Sequence, residues 1–376
     1  MSVTVWLAAR TIDYPDAGGV FWVYLNWALG LKAHRCKVIW LELVHPHEPI
    51  QKIASKMNVL RHRLEPYGLA DSVAVCSFNN TPLSADITKH SINMETSSEA
   101  DLLINMAYGV PSSVVKNFRR SAFIDIDPGL TQIWISRKQI HIAHHDIYFT
   151  IGETVGTPGA KFPDCGLRWQ YSPPCVSLDH WQRYPASAGA SFTTVSNWYM
   201  DDWVEEDGGG YANDKRSGFL PYIDIPKQTT QPLELALRLA GLEQERKELQ
   251  ELGWRVREAH EIAATPDDYQ RYIQESLGEF SCVKPSCIRL ENAWISDRTL
   301  CYLASGKPAV IQHTGPSRFL PDSAGLFRFR NVREAVLSLE KTASDYDLQC
   351  HIARPLAEDY FDAKKVVKHV LEKAIA

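Results

Sequence analysis

Side chains that could bind an anion or move a proton follow several short apolar runs of this 376-residue chain. They are mostly carboxylates in the first half and hydroxyl, amide, amine and imidazole groups in the second: Asp13, Asp16, Asp125, Asp127 and Glu153, then Ser196, Asn197, Lys284, His313 and Thr314. The carboxyl ends of parallel strands share one edge of a sheet, and doubly wound sheets bind ligands beyond that edge. The sequence therefore predicts a cleft with carboxylates on one wall and cations and backbone amides on the other.

The best-defined anion site of the sequence lies in residues 291–315, ENAWISDRTLCYLASGKPAVIQHTG. Ser296 is a helix N-cap residue, Arg298 falls in the first helical turn, and Gly306 ends the helix before the apolar strand AVIQ. A guanidinium beside unpaired helix N–H groups suits a diphosphate. The alternative is that Ser296 is only an N-cap and Arg298 only a solvated charge.

Asp125-Ile126-Asp127 has the D-x-D form in which carboxylates hold a divalent cation against a diphosphate. The alternative is that two carboxylates at a strand end face the same way and one of them caps Pro128-Gly129. If one carboxylate takes part in chemistry, its role is to remove the proton of an acceptor hydroxyl. Asp127 is therefore the candidate general base, with Asp13 and Asp16 as alternatives.

Two further features flank the predicted cleft. Gly18 and Gly19 precede a helical pattern, so their N–H groups could meet an anionic or hydroxylated ligand, or could form only a tight turn. His145 and Asp146 have the residue types of an imidazole and its orienting carboxylate, but neighbouring strand residues face opposite ways, which favours a structural role. Gly18, Gly19, Glu153 and His145 form a candidate acceptor or diphosphate loop.

Apolar runs alternate with helical patterns along both halves of the chain, which predicts parallel, doubly wound α/β sheets. The first five predicted strands are VTVWLAA, CKVIWLELV, DLLINM, SAFIDID and IYFTIGE, and SFTTVSN begins a second series. A long helix is predicted over residues 232–252, ended by Gly253. Residues 154–187 are rich in Gly and Pro and lack periodicity, which indicates a connection between domains. The predicted units are 1–187, 188–355 and a terminal helical segment, 356–376.

The composition is typical of a folded two-domain protein and not of a nucleic-acid binder. Hydrophobic residues make up 45% of the chain, charged residues 23%, and the net charge is -5, without the basic excess of nucleic-acid binders. The eight cysteines contain no C-x-x-C pair, which suits a reducing cytosol. The start MSVTVWLAAR lacks a basic n-region, and no apolar run reaches bilayer length. We expect a cytoplasmic protein without a membrane anchor or a nucleic-acid partner.

The block from Trp294 to Gly315 resembles the W-[FI]-S-D-R-[ST]-x-C-Y-L-A-x-G-[KR]-P-V-V-x-Q-x-T-G block of a group of bacterial GT-B glycosyltransferases. The resemblance extends to YPDAGGVFWVYLNWALGL, IDIDPGLTQ, HHDIYFTIGE and EDYFDAKKVVKHVL, and so covers most of the chain. It implies two Rossmann-like domains facing across a cleft, with the last helix crossing back onto the N-terminal domain. It also implies transfer of a sugar from a nucleotide diphosphate donor to a hydroxylated acceptor. Because Arg298, lysine and helix N-termini would neutralise the diphosphate, we expect transfer without a metal, and no other cofactor, by a chain that could form a homodimer.

The same resemblance places the donor mainly on the C-terminal half. The donor-side candidates are Ser296, Arg298, Thr299, His313, Thr314, Gly315, Lys215 and Lys284. Two positions depart from the pattern: Val20 follows Gly-Gly where related sequences tend to have His, and His313 stands where they tend to have Asp. The first departure removes an imidazole base, so the base would be Asp13, Asp16 or Asp127.

Two other functions fit these features. A sugar-nucleotide epimerase shares the fold and the donor residues. A catalytically silent GT-B partner subunit, which Val20 favours, would bind nucleotide without turnover. Acceptor-dependent release of nucleoside diphosphate separates a transferase from an epimerase, and donor hydrolysis separates an enzyme from a silent subunit.

Overall fold

The chain forms two α/β halves, each built on a largely parallel sheet. The computed structural model describes residues 3–200, 203–206, 209–239 and 241–376. The strands of the first half are β1 (Thr4–Ala9), β2 (Lys37–Val44), β3 (Val73–Ser77), β4 (Leu102–Asn105), β5 (Ser121–Asp125), β6 (Ile147–Thr150) and β7 (Trp169–Tyr171). They form one parallel sheet in the order β3-β2-β1-β4-β5-β6-β7. Strands β1, β2, β4, β5 and β6 confirm the five predicted ones, β3 was not predicted, and β7 lies in the predicted connection.

Helices alternate with these strands. They are α1 (Gly18–Ala33), α2 (Ile50–Leu64), α3 (Ala85–Thr88), α4 (Ser112–Val115) and α5 (Leu130–Ser136). Strands β1 to β6 read as near-continuous apolar runs because helices cover both faces of a parallel sheet. Val5, Leu7, Leu102 and Ile124 are fully buried in this core.

The second half repeats the plan. Its strands are β8 (Phe192–Asn197), β9 (Trp203–Glu206), β10 (Gly209–Ala212), β11 (Leu233–Arg238), β12 (Arg255–Glu258), β13 (Gly278–Ser281), β14 (Ala309–Gln312), β15 (Ser323–Ala324) and β16 (Leu326–Phe329). The sheet order is β12-β11-β8-β13-β14-β16-β15, in which β15 is antiparallel, and β9 pairs with β10 as a separate hairpin. The helices are α6 (Lys215–Phe219), α7 (Glu243–Glu251), α8 (Ala259–Ile262), α9 (Pro266–Glu275), α10 (Pro285–Leu290), α11 (Asp297–Ala304), α12 (Val332–Ser344), α13 (Tyr346–Leu356) and α14 (Ala363–Ile375).

The predicted long helix over residues 232–252 is wrong in its first part. Leu233–Arg238 is strand β11, between β8 and β12, and only Glu243–Glu251 is helical. The sequence LELALR has good helix formers, but Leu235 and Leu237 are fully buried in the sheet. Tertiary burial here overrides a weak local preference.

Helix α14 crosses back to the N-terminal half, as predicted. It packs against α1, and the packing is close because Gly30 leaves room for Val367: a Cβ at Gly30 would lie 2.6 Å from the Val367 Cγ2 atom. The first sheet lies within the predicted unit 1–187, the second within 188–355, and α14 within 356–376. Among the described residues no helix is long and apolar enough to cross a lipid bilayer.

The strand order reverses once in each sheet, beside its first strand. In the first sheet this happens between β1 and β4, and in the second between β8 and β13. A crevice opens at such a point because the connections on its two sides run to opposite faces of the sheet. The two reversal points indicate where a ligand fits.

Candidate functional site

A cavity of about 240 Å³ lies between the two halves at these edges. Its walls are the N-terminus of α1, the carboxyl ends of β8 and β11, the segment after β12 and the N-terminus of α11. The lining residues with polar groups or at backbone turns include Tyr14, Asp16, Gly19, Ser196, Asn197, Arg238, His260, Ser296, Asp297 and Arg298. We call this space the cleft cavity.

Helix α11 points its N-terminus at the cleft cavity. The Ser296 hydroxyl accepts the Arg298 N–H at 3.3 Å, which confirms the predicted N-cap. The remaining N–H groups of the first turn and the helix dipole make this end attractive to an anion. The structure therefore brings the predicted Ser296 to the edge of the cavity.

The Arg298 guanidinium is held by protein groups. It donates from Nε to Glu279 Oε1 at 2.8 Å, from one terminal nitrogen to the Val195 carbonyl at 3.0 Å, and from the other to Ser281 Oγ at 2.6 Å. Glu279 is fully buried, and the Arg298 side chain is 10% exposed. Most of its donors are already used inside the protein, although Arg298 lines the cleft cavity, so its role as the main diphosphate contact stays a prediction.

Arg238 and His260 line the cavity and were not among the predicted site residues. Arg238 ends β11 and is exposed; within the described part of the chain its side chain has no hydrogen bond or ion pair. His260 follows β12, and its Nδ1 atom lies 3.3 Å from Glu258 Oε2. Arg238 could have been found as a cation at the carboxyl end of a strand. It was missed because residues 232–252 were wrongly predicted to form one helix.

Asp297 is a third cavity residue that the sequence analysis missed, although it stands between two predicted ones. Burial raises the pKa of its carboxyl to about 7, and the negative charge of Asp127 on the other wall adds to this rise. A carboxylate of each half thus contributes to the electrostatics of this region. The arrangement makes Asp297 a group that changes charge near neutral pH.

The two aspartates of the D-x-D triplet have different environments. Asp125 is fully buried and accepts four hydrogen bonds, from Thr131 Oγ1, Gln132 Nε2, Thr150 Oγ1 and the Asp127 N–H, at 2.6 to 3.0 Å. Burial raises its pKa to about 6. Asp125 therefore organises the end of β5, and the triplet does not present two carboxylates to one ligand.

Asp127 is the member of the triplet that remains a candidate base. Its Oδ2 atom accepts a hydrogen bond from the Tyr108 hydroxyl at 2.8 Å, which fixes the carboxylate at the carboxyl edge of the first sheet. Tyr108 follows β4, on one side of the reversal point. Asp127 is near enough to Asp297 of the second half for their charges to interact.

The other two candidate bases lie on the loop between β1 and α1. Asp13 is paired with Arg10 at 3.2 Å and with Lys56 at 3.3 Å, so its charge is neutralised by the protein. Asp16 lines the cleft cavity. The buried Glu42 holds this loop by accepting the Thr11 N–H at 3.1 Å and the Trp40 indole N–H at 2.9 Å.

Gly18 and Gly19 serve contact between the halves, which corrects the predicted anion-binding role of Gly18. The Gly18 N–H donates to the Ala263 carbonyl at 3.1 Å across the cleft and is not available to a ligand. A Cβ at Gly18 would overlap the Thr265 carbonyl, and one at Gly19 would lie 2.7 Å from the Tyr269 ring. The glycines let α1 approach α9. Gly19 still lines the cavity.

His145 and Glu153 do not have the predicted role in an acceptor or diphosphate loop. His145 is 1% exposed, contacts Asn105 Nδ2 at 3.1 Å and the Ala143 carbonyl at 2.6 Å, and burial lowers its pKa to about 4. It is a neutral core imidazole. Glu153 Oε1 accepts the Arg318 N–H and Nε–H across the two halves, each at 2.8 Å. Glu153 thus joins the halves.

Three donor-side candidates lie away from the cleft cavity. Lys215 is buried and donates to the Cys282 carbonyl at 2.7 Å; burial, with Arg298 nearby, lowers its pKa to about 7. Thr299 is fully buried under the first turn of α11. Lys284 stands at the N-cap of α10. Because Thr299 and Lys215 are buried, neither side chain can contact a donor in this conformation.

The residues after β14 belong to a different space. His313 and Gly315 line a second cavity of about 480 Å³ with Arg328 and Arg330. His313 Nδ1 accepts the Gly315 N–H at 3.2 Å, and the Thr314 hydroxyl donates to the Trp294 carbonyl at 2.6 Å. The turn thus braces the loop before α11, and its three residues do not line the cleft cavity.

A metal ion has no evident cage here. Within the described residues there is no group of three or more His, Cys, Asp and Glu side chains that could hold one.

Known structures with this architecture are distant in sequence. No protein-family model and no curated protein matches the chain. Among solved structures, HepE from Anabaena with UDP-glucose is 12% identical, with 98% of each chain covered and a TM-score of 0.57. An alpha-glucosyltransferase with UDP-glucose and DNA containing an abasic site is 9% identical, with 99% of each chain covered and a TM-score of 0.57. A glycosyltransferase from Rickettsia africae is 10% identical, covers 99% of this chain and 97% of its own, and has a TM-score of 0.54. The chain therefore has the GT-B fold.

Proposed function

We propose that this protein transfers a sugar from a nucleotide diphosphate sugar to a hydroxylated small molecule or glycan. The observation that carries the proposal is the cleft cavity itself, in which an exposed arginine and a helix N-terminus of the second half lie opposite the loop of the first half that carries Asp16. The similar structures that contain UDP or UDP-glucose support a UDP-linked donor. The block from Trp294 to Gly315 supports membership of the bacterial GT-B group that it resembles.

The donor diphosphate would lie against the N-terminus of α11 and Arg238. Backbone N–H groups and a guanidinium can both neutralise phosphate oxygens without a metal. Asp127 would take the proton of the acceptor hydroxyl while that oxygen bonds to the anomeric carbon and the bond from this carbon to the diphosphate breaks. Neutralisation by protein groups also supports metal-independent transfer.

Arg238→Ala tests the donor site. Losing hydrogen bonds to a charged group costs roughly 1.5 to 3 kcal/mol, which corresponds to about tenfold to over a hundredfold weaker binding. We expect this loss in calorimetric titration with UDP-glucose, and acceptor-dependent release of UDP by the parent protein. Arg257→Ala is the matched control, because Arg257 is an exposed arginine of the neighbouring strand β12 outside the cavity lining. Equal binding by Arg238→Ala and the parent would place the donor elsewhere.

Chelation tests the absence of a metal from the reaction. We expect excess EDTA to leave turnover unchanged, because protein N–H groups and Arg238 neutralise the diphosphate. Loss of turnover that added magnesium or manganese restores would overturn metal-independent transfer.

A cytoplasmic location is part of the proposal. All eight cysteines are reduced thiols in the structure, and reduced thiols persist in the cytosol.

A further inference from the structure

We propose that Asp297 binds the donor as a neutral carboxylic acid, so that binding of a nucleotide sugar takes up a proton. This rests on the proposed function, because it assigns a state to one residue of the donor site. The proposal explains how a site for a diphosphate can contain a carboxyl group.

Asp297 lies where the proposed diphosphate would bind. It is the first residue of α11 and lines the cleft cavity between the N-cap Ser296 and Arg298. A diphosphate at this helix end would meet the Asp297 side chain. A carboxylate accepts hydrogen bonds only and repels a phosphate, whereas a carboxylic acid donates a hydrogen bond to it.

The groups around Asp297 compensate a negative charge only in part, because its own backbone N–H and Arg298 favour the carboxylate whereas burial and Asp127 oppose it. The charges of Asp127 and of the thiols of Cys175 and Cys301, once ionised, interact unfavourably with that of Asp297. Arg298, its neighbour in sequence, is paired with the buried Glu279. Among the described residues Asp297 itself forms no ion pair. The remaining charged or titratable cavity groups are Tyr14, Asp16, Arg238, His260 and Tyr269.

The protonation equilibrium of Asp297 lies where it can respond to the donor. Burial, followed by the charge of Asp127, raises the pKa of Asp297 to about 7 in the empty protein. A bound diphosphate adds negative charge and raises this pKa further. Donor affinity is therefore highest below pH 7 and falls as the pH rises above it.

Calorimetric titration with UDP-glucose from pH 6 to 8.5 tests this coupling. The phosphates of UDP-glucose are both diesters, so they lack the second phosphate proton that titrates near pH 6. With one required proton, affinity for the parent protein should be roughly thirtyfold weaker at pH 8.5 than at pH 6. Titration in two buffers of different ionisation enthalpy at pH 8 should show uptake of nearly one proton. This measurement on the parent protein needs no variant.

Asp297→Asn provides the second arm, because the amide keeps a donor and cannot ionise. We expect its affinity to be nearly constant over the pH range and close to that of the parent at pH 6. Asp267→Asn is the matched control, since Asp267 is an exposed carboxylate in the first turn of α9 outside the cavity lining. This control should keep the pH dependence of the parent.

His260→Gln distinguishes the competing source of pH dependence, because an imidazole can also gain a proton near neutral pH. A pH dependence that survives in Asp297→Asn and disappears in His260→Gln would overturn the proposal. Binding by the parent that is equal at all pH values would overturn it too, while leaving the proposed function intact. No binding of UDP-glucose at any pH would contradict the proposed UDP-linked donor and this inference together.

Discussion

At the scale of single residues, the two arginines near the N-terminus of α11 have different roles. Arg298 stands where a diphosphate contact was predicted, but its guanidinium joins Glu279, Ser281 and the carbonyl of Val195 under the reversal point of the second sheet. Arg238 ends strand β11, which is paired with β8, and its side chain is exposed at the cleft cavity. One arginine is thus a structural element of the site, and the other is available to a ligand.

Arg298→Ala should lower the free energy of unfolding by about 3 to 5 kcal/mol, because it leaves the buried Glu279 carboxylate unpaired. Denaturant unfolding measures this loss. Arg298→Met combined with Glu279→Leu removes both charges and should recover most of it. A stable Arg298→Ala protein that only binds nucleotide more weakly would restore Arg298 as the diphosphate contact.

Asp127→Asn should reduce turnover by about 10² to 10⁴-fold, the usual effect of losing a general base. Nucleotide affinity at pH 6 should stay nearly unchanged, since Asp127 lies on the acceptor wall. Steady-state turnover and calorimetric titration measure the two effects. The control is Asp16→Asn, which removes a carboxylate that lines the cleft cavity; if it loses turnover and Asp127→Asn keeps it, the base lies on the loop before α1.

At the scale of elements, the contact between α1 and α9 explains the Gly-Gly pair. Helix α1 is buried nearly all round, because α14 covers one side of it and α9 of the other half covers its N-terminal part. The Trp22 indole N–H donates to the Pro266 carbonyl at 2.9 Å. The N-terminus of α1 is therefore a joint between the halves.

Gly18→Ala should open this joint. Its Cβ would overlap the Thr265 carbonyl, and backbone cannot move aside as a flexible side chain can. We expect a larger radius of gyration by small-angle scattering and weaker donor binding. Gly159→Ala is the control, because a Cβ there meets nothing within 4 Å. An unchanged radius of gyration for Gly18→Ala would show that the joint tolerates a methyl group.

At the scale of the whole molecule, separate contacts hold the halves together at the other end of the cleft. Arg318 donates to Glu153, Asn292 Nδ2 donates to the Pro128 carbonyl at 2.8 Å, and the rings of Tyr171 and Phe319 stack with centroids 5.5 Å apart. These contacts therefore close this end of the cleft. The Arg318–Glu153 pair joins the loop that follows β14 to the loop that follows β6. The contact between the halves therefore includes a loop of the proposed donor-binding half.

Arg318→Ala should shift the protein toward an open form. The charge-assisted hydrogen bond from Arg318 Nε to Glu153 is lost while the backbone N–H of residue 318 stays, and Glu153 gains water on opening, so the closed-to-open ratio should fall about tenfold. Scattering should show expansion of the empty protein and compaction when UDP-glucose and an acceptor are added. Arg333→Ala removes an exposed arginine of α12 and should change neither. A compact, ligand-insensitive Arg318→Ala protein would indicate a rigid cleft.

Features that depend on nearby residues were predictable from the sequence. The alternation of strands and helices, the N-cap Ser296 and the placement of Asp127 at a strand end all follow from residue periodicity and local hydrogen bonding. The same logic indicated an interdomain cleft, because parallel strands collect their carboxyl ends at one edge. These predictions need no knowledge of what lies opposite.

Only the tertiary structure decided which of the polar residues are available to a ligand. Arg298 is paired because Glu279, nineteen positions earlier, lies under it in the sheet. Gly18 is a contact residue because α9 of the other half meets it, and LELALR is a strand because β8 and β12 flank it. Each outcome depends on a partner distant in sequence, and local propensities amount to less than the free energy of such burial and pairing. For that reason Arg238 and Asp297 emerged as site residues only when the two halves were seen together.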